Sequence, residues 1–165
     1  MISLDCAFDA IIGAYREVVR REQNPTEANA ALKAALATPL DRSKVLLVLE
    51  LLPYSMSLPL IPELVECTES AKHASRARAL LGRIPFAKAR GSIATQVTRR
   101  LDSDTADDWV YRRMAELLEY LGYYEELSDL VHRADGSGDS DIREVGDDYR
   151  SPCAPTSGSS TRSPR

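Results

Sequence analysis

The stretch "LVLELLPY", from Leu47 to Tyr54, contains the pattern that decides the fold. It is an apolar segment with helical spacing that ends in an aliphatic residue, then Pro, then an aromatic residue. The same arrangement, with Pro or Gly as the breaker, returns in "ARALLGRIPF" at 77–86 and in "MAELLEYLGYY" at 114–124. The last aliphatic residues of the three stretches are Leu52, Ile84 and Leu121. Their separations of 32 and 37 residues are typical of stacked helix pairs.

Helical periodicity continues along most of the chain. Apolar residues recur at intervals of three and four, and helix-forming Ala, Leu, Arg and Glu dominate the composition. We therefore predict an all-α protein of eight or nine helices, near residues 4–19, 28–36, 45–52, 59–68, 74–84, 86–101, 105–121, 127–134 and 141–149. Residues 1–149 are predicted to form a helical-repeat domain. Residues 150–165 are rich in Ser and Pro and are predicted to be a disordered tail.

Several local features of these helices lead to definite expectations. The third helix is apolar almost all round, so it is the candidate for the most buried element. Asp41 or Ser43 can form its N-cap. Thr105 and Asp108 have the spacing of a capping box at the start of the seventh helix, and Gly122 is expected to end that helix.

The segment "DTADDWVYRRMAELLEYLG", followed by a shorter helix and then "DSDIREVGDDY", resembles HEAT repeats, an armadillo-type α-solenoid family. A repeat of that family opens with an Asp-rich turn, an aliphatic residue and Arg, followed by small and Leu positions. The matching residues are Asp108, Val110, Arg112 or Arg113, Ala115, Leu118 and Leu121. The resemblance covers about residues 40–149. It departs from the pattern at Lys44, which replaces the Arg, and in residues 70–101, which lack the Asp.

The resemblance implies a right-handed superhelix of antiparallel helix pairs, in which the second helices of successive repeats line a concave surface. It implies an adaptor, scaffold or inhibitor that binds a protein, a class that includes proteins neutralising a specific enzyme or toxin, and it implies no reaction. An ordinary compact helical bundle is the alternative architecture.

Charge is strongly segregated along the chain. Residues 70–101 contain eight basic and no acidic side chains, whereas residues 102–149 contain four basic and fifteen acidic ones. If the sixth helix buries Phe86, Ile93, Val97 and Leu101, its opposite face carries polar and basic residues. We predict that this face lines the groove and contacts a protein partner through Lys88, Thr95, Gln96 and Arg99.

Two other interpretations of the basic helix pair at 70–101 remain open. A nucleic-acid backbone could bind to Lys88, Arg90, Arg99 and Arg100, because each such contact releases counterions. Acidic segments on both sides disfavour this, and no aromatic residue stands among the basic ones to stack on bases. The basic side chains could also simply pair with their acidic neighbours on a solvated surface.

Half of the ten aromatic residues lie between positions 109 and 124. They are Trp109, Tyr111, Tyr120, Tyr123 and Tyr124. Tyr and Trp are common anchors of protein interfaces, so Trp109, Tyr123 and Tyr124 are predicted to bind the partner. Tyr123 and Tyr124 follow a helix end and are expected to be exposed. The alternative for most of the cluster is core packing.

Signals for catalysis or metal binding are weak. His73 and His132 have no metal-binding spacing, and the sequence contains no serine-nucleophile, P-loop or dinucleotide motif. "DGSGDSD" at 135–141 imitates a calcium loop but has Gly146 where the bidentate Glu belongs, so we interpret it as a turn between helices. We expect no catalytic residue, cofactor or metal, and an enzyme of unknown type is the third function class.

The cysteines and the apolar runs indicate the compartment. The three cysteines, Cys6, Cys67 and Cys153, have no zinc or disulfide spacing, which favours reduced thiols in the cytoplasm. The N-terminus does not resemble a secretory signal, and no apolar run approaches the ~20 residues that a bilayer requires. A cytoplasmic protein without a membrane partner is therefore expected.

Overall fold

The computed structural model describes residues 25–150, and the first predicted helix and the predicted tail after Arg150 lie outside this range. The described chain is helical and contains no β-strand, which confirms the all-α class. The α-helices are α1 (Pro25–Ala37), α2 (Pro39–Leu51), α3 (Tyr54–Ser57), α4 (Ile61–Cys67), α5 (Ala74–Gly82), α6 (Phe86–Leu101), α7 (Asp108–Leu121), α8 (Tyr124–Asp135) and α9 (Ser140–Tyr149). A short 3₁₀-helix, Leu58–Leu60, joins α3 to α4.

The chain divides into two compact units, and the division falls between Asp104 and Thr105. In the first unit, α4 packs against α1, α5 and α6, and α2 packs against α1 and α5. Leu46, Leu64 and Leu80 are almost completely buried in this core. Each fully buried leucine contributes roughly 1.5–3 kcal/mol relative to an exposed position.

One face of α2 is buried and the other is not. Leu46 and Leu49 have no exposed surface, but Leu47 is 47% exposed, Leu51 58% and Leu40 85%. The expectation that this helix is buried all round is therefore wrong. Because α1 and α5 cover only one side of α2, the apolar residues on its other side remain in contact with solvent.

The start of α2 also differs from the prediction. Thr38 occupies the N-cap position without a side-chain cap, and Pro39 begins the helix. Asp41 therefore lies inside the first turn, and the expected N-cap at Asp41 or Ser43 is wrong. Proline suits this position because its ring fixes φ and its missing N–H is not needed there.

Arg83 connects the end of α5 to the end of α2. Its guanidinium donates hydrogen bonds to the backbone carbonyls of Leu49 at 3.1 Å, Glu50 at 2.8 Å and Leu52 at 2.7 Å. These carbonyls lie at the C-terminal end of α2, where backbone partners are incomplete and where positive charge is favourable. One side chain, Arg83, thus joins the helix end at Leu52 to the helix end at Ile84, which are two of the three repeated helix ends in the sequence.

The helix α6 begins directly after Pro85, and Gly91 lies within it. Ile93 and Val97 are buried as predicted, but Phe86 is 54% exposed, so its predicted place on the buried face is wrong. The physical reason is its position as the first residue of the helix. Its ring instead lies 5.4 Å from the guanidinium of Arg90.

In the second unit, α7, α8 and α9 each pack against the other two. Met114, Leu127 and Val145 have no exposed surface. Gly146 permits the close packing of α9 on α8, because an added Cβ would lie 3.1 Å from the Cβ of Ala134. This unit therefore has a core of its own.

The ends of α7 and α9 are formed by nearby residues. Asp107 is the N-cap of α7 and accepts a hydrogen bond from the backbone N–H of Val110 at 3.0 Å. The predicted cap at Thr105 is wrong because the helix begins three residues later, at Asp108. Gly122 ends α7 with φ +70°, as predicted.

Candidate protein-binding surfaces

The outward face of α6 is exposed at several of the residues predicted to contact a partner. Lys88, Thr95 and Arg99 are exposed and Gln96 is half-buried. The C-terminal half of the helix borders an open depression lined by Ala94, Thr95, Thr98, Arg99 and Asp102. Arg99 has no ion-pair or hydrogen-bond partner within residues 25–150. The Thr95 hydroxyl, by contrast, donates to the carbonyl of Gly91 at 2.8 Å.

Most of the other basic side chains of the basic helix pair are engaged within the first unit. Arg100 forms a two-pronged ion pair with Glu69 at 2.5 and 2.7 Å. That hydrogen bonding raises the pKa of the Arg100 guanidinium. Arg76 pairs with Glu50 at 2.7 Å. The acidic partners come from residues before position 70, so these ion pairs link the basic helix pair to earlier helices.

Lys88 and Arg90 lie over aromatic rings. The ammonium of Lys88 is 5.5 Å from the centre of the Tyr54 ring and 3.3 Å from its hydroxyl. Arg90 has the equivalent contact with Phe86. The four residues considered for a nucleic acid are therefore not equivalent, since Arg100 is held by a carboxylate and Arg99 is the one beside the depression.

The aromatic cluster separates into buried and exposed members. Tyr111 and Tyr123 are buried, whereas Trp109 is 43% exposed, Tyr120 57% and Tyr124 55%. The expected exposure of Tyr124 is confirmed and that of Tyr123 is wrong.

The turn at Gly122 explains why Tyr123 is buried. The N–H of Gly122 donates to the carbonyl of Glu119 at 3.0 Å, and the N–H of Tyr123 donates to the carbonyl of Leu118 at 2.9 Å. These two bonds define a Schellman motif, in which the residue after the left-handed glycine packs back onto the last turn of the helix. The sequence "LGY" at 121–123, with Gly after the last helical residue, is typical of this motif.

Four residues lie on one side of α7, two with exposed rings and two with largely covered side chains between them: Trp109, Tyr120, Arg113 and Glu116. We call them the α7 face; their spacings of three and four residues place them on one side of the helix. The Arg113 guanidinium is 4.0 Å from the centre of the Trp109 ring and donates to Glu116 at 2.7 Å. Arg113 and Tyr120 were not among the predicted site residues, although the helical spacing from Trp109 places them beside it.

The second unit is strongly negative around this face. Residues 105–150 contain thirteen acidic and five basic side chains. Four of the basic ones have partners within the unit, for example Arg112 with Asp148 at 2.7 Å. Burial, and after it the charges of Glu116 and Glu119, raise the pKa of Tyr149. The exposed rings of the α7 face therefore belong to a unit with a net negative charge.

The groups that could support chemistry are dispersed or buried. No group of three or more His, Cys, Asp or Glu side chains in residues 25–150 is placed to hold a metal ion. Cys67 is a free thiol, and burial raises its pKa to about 11, so little nucleophilic thiolate forms near neutral pH. The 135–141 segment contains the predicted turn, in which Asp139 accepts a hydrogen bond from the N–H of Asp141 at 2.8 Å.

A small cavity lies among α1, α2 and α4. It is lined by Lys33, Leu36, Ala37, Arg42, Glu63 and Glu66. Lys33 pairs with Glu63 at 2.8 Å, and the Arg42 guanidinium donates to the carbonyl of Leu36 at 2.8 Å. These contacts join three helices, so we interpret the lining as structural.

No protein-family model, curated protein or solved structure matches this chain. Within residues 25–150, no helix has both the length and the apolar character needed to span a bilayer.

Proposed function

We propose that this chain is a non-catalytic protein-binding module, an adaptor, scaffold or inhibitor whose partner contacts the α7 face and Tyr124. The observation that carries the proposal is the exposure of Trp109, Tyr120 and Tyr124 on one small unit that already has a separate buried core. Trp, Tyr and Arg are the residue types that most often dominate the binding energy of interfaces.

The basic helix pair has a secondary role in this proposal. Arg99 and the depression beside it offer a polar contact to the partner, but Arg100, Arg76 and Lys88 already have partners in the first unit. The same pairing reduces the positive charge that a nucleic acid would need. We therefore favour a protein over a nucleic acid as the partner.

For the architecture, we propose that the helices form HEAT-like antiparallel pairs in a right-handed superhelix. Two features support this: consecutive helices such as α1 and α2 pack directly together, and two of the repeated breaks meet through Arg83. A repeat array of this kind exposes one face of each helix pair, which suits binding better than enclosing a substrate.

The test is affinity capture from native lysate, with partners identified by mass spectrometry and then titrated in purified form. The double variant Trp109→Ala, Tyr120→Ala should weaken the partner at least tenfold, while Phe86→Ala should not. Phe86 is a matched control because it is an exposed aromatic residue, at 54%, on the first unit.

The alternative partner is examined with the same proteins. Random duplex DNA should show no tight binding at 50 mM salt, and Arg99→Ala should not alter capture of the protein partner by more than about threefold. Tight DNA binding that falls steeply with salt would replace the proposal with the nucleic-acid function.

A further inference from the structure

We propose that the α7 face is specific for arginine or lysine side chains of a basic segment in the partner protein. This inference rests on the proposed function and adds the chemistry of the partner. Its starting observation is that the face combines exposed aromatic rings with negative charge, which is the pair of features that recognises cations attached to apolar stems.

The molecule already contains one example of this recognition. The guanidinium of Arg113 lies 4.0 Å from the centre of the Trp109 ring, and its terminal nitrogen donates to the Glu116 carboxylate at 2.7 Å. The ring attracts the cation through its quadrupole, and the carboxylate accepts its hydrogen bond. A cation from a partner would be recognised by the same two types of group.

Carboxylates are available beside the exposed rings. Asp108 and Glu119, the chain neighbours of Trp109 and Tyr120, are exposed. Neither has an ion-pair or hydrogen-bonding side-chain partner in the part of the chain that the structure describes. Asp108 and Glu119, which are adjacent in sequence to Trp109 and Tyr120, therefore offer carboxylates that can accept hydrogen bonds from an incoming guanidinium or ammonium.

The helix geometry sets the spacing of the two cations. Trp109 and Tyr120 are eleven residues apart on α7, which corresponds to about 16 Å along the axis. An extended segment covers that distance in about five residues, and a helical segment in about eleven. The partner segment should therefore have two basic residues separated by one of these two intervals.

The charge of the unit argues against other partner surfaces. Thirteen acidic and five basic side chains in residues 105–150 would repel an acidic peptide or a phosphate group. A purely apolar segment would bury the flanking carboxylates without giving them partners, which is unfavourable. A basic segment satisfies both the rings and the carboxylates.

A direct optical test is possible because Trp109 is the only tryptophan in the chain. The full chain is titrated with synthetic Gly/Ser peptides that contain two arginines five or eleven residues apart, and Trp109 fluorescence is followed. Peptides with the same arginines replaced by Gln or by Glu are the matched probes. We expect saturable quenching or a spectral shift with one arginine spacing, and none with Gln or Glu.

Variants of the second unit test which residues bind the arginine peptide and how much of its affinity is electrostatic. Tyr120→Ala and Glu119→Gln should each raise the dissociation constant of the arginine peptide by roughly three- to tenfold. Asp129→Asn removes an equal charge from an exposed site on α8 and should change it less than twofold. Raising salt from 50 to 300 mM should weaken the arginine peptide roughly fivefold or more. Circular dichroism checks that each variant retains its helices.

The inference and the proposed function fail in different ways. Equal binding of Arg, Gln and Glu peptides, or an affinity independent of salt and of Glu119, would overturn the specificity for cations. If the partner captured from lysate still depends on Trp109 and Tyr120, the proposed function stands. Capture that is indifferent to Trp109 and Tyr120 would remove the α7 face as the binding surface.

Discussion

Helix ends are built differently in the two units. From α2 to α6, no helix of the first unit has a side-chain N-cap hydrogen bond. The C-terminal end of α2 is also held by a residue far away in sequence, Arg83, whose acceptors lie 31 to 34 positions earlier. In the second unit, Asp107, Gly122 and Asp139 form helix ends within two or three residues of themselves. A tertiary contact therefore supports a helix end in the first unit, whereas nearby residues form these ends in the second.

Proline accounts for part of this difference. Pro39 begins α2, Pro62 lies in the first turn of α4, and Pro85 immediately precedes α6. A proline in the first turn has no N–H that requires an acceptor, and its fixed φ favours the helix. These helices can begin without an Asp or Ser cap, and at the end of α2 the carbonyls also accept hydrogen bonds from Arg83.

The largest effect is expected at Arg83. Replacing Arg83 with Met keeps the apolar stem and removes the donors to three carbonyls of α2, so the free energy of unfolding should fall by about 2 kcal/mol. Urea unfolding measures the loss. Hydrogen exchange should show faster amide exchange in α2 and α5 and unchanged protection in α7 to α9.

Arg83→Lys is the control, because it keeps the positive charge but not the planar fork of donors. It should recover less than half of the loss. Full recovery by Lys, or faster exchange in both units, would show that Arg83 does not act as a long-range cap specific to the first unit.

A smaller effect is expected at the start of α7. Asp107→Ala should lower the stability of the second unit by about 1 kcal/mol, because the N–H of Val110 loses its acceptor. Thr105→Ala should cost less than Asp107→Ala, since Thr105 lies outside the helix and does not cap it. The measurement is urea unfolding of both variants with amide exchange in α7. Equal losses would contradict the assignment of the cap to Asp107.

This difference also determines how much of the molecule the sequence could predict. Gly122 predicts the end of α7, because glycine readily adopts the left-handed conformation found there. Clean apolar periodicity predicts the helices α8 and α9. The exposure of Leu47 and Leu51 could not be predicted, because an apolar run does not specify how many sides of a helix are covered. The contacts of Arg83 depend on two segments meeting in space, which no local pattern encodes.

The candidate site was predictable to a similar extent. Trp109 and Tyr124 were selected from residue type alone, and both are exposed. Residue type alone predicts an exposed Tyr123, but the turn at Gly122 directs its side chain inward. Arg100 was proposed as a phosphate ligand because its partner, Glu69, is 31 residues away in sequence.

The smallest effect concerns His73, which occupies the N-cap position of α5 without a side-chain cap. Burial, and then the charges of Lys72, Arg42 and Arg76, lower its pKa below the ordinary value of 6.5. The unfolded chain therefore takes up the proton first. The neutral imidazole contributes stability that is fully present above pH 6.5 and is lost as the pH falls below it.

The free energy of unfolding of the first unit should consequently decrease between pH 7 and pH 5.5, a window above the titration of most carboxylates. His73→Asn should flatten this dependence, because asparagine suits an N-cap position and does not titrate. His132→Asn, which changes an exposed histidine in α8, should leave the slope of the first unit unchanged. A slope that persists in the His73 variant would assign the pH dependence to other groups. It would also show that His73, buried and neutral at the start of α5, does not cause the acid sensitivity of the first unit.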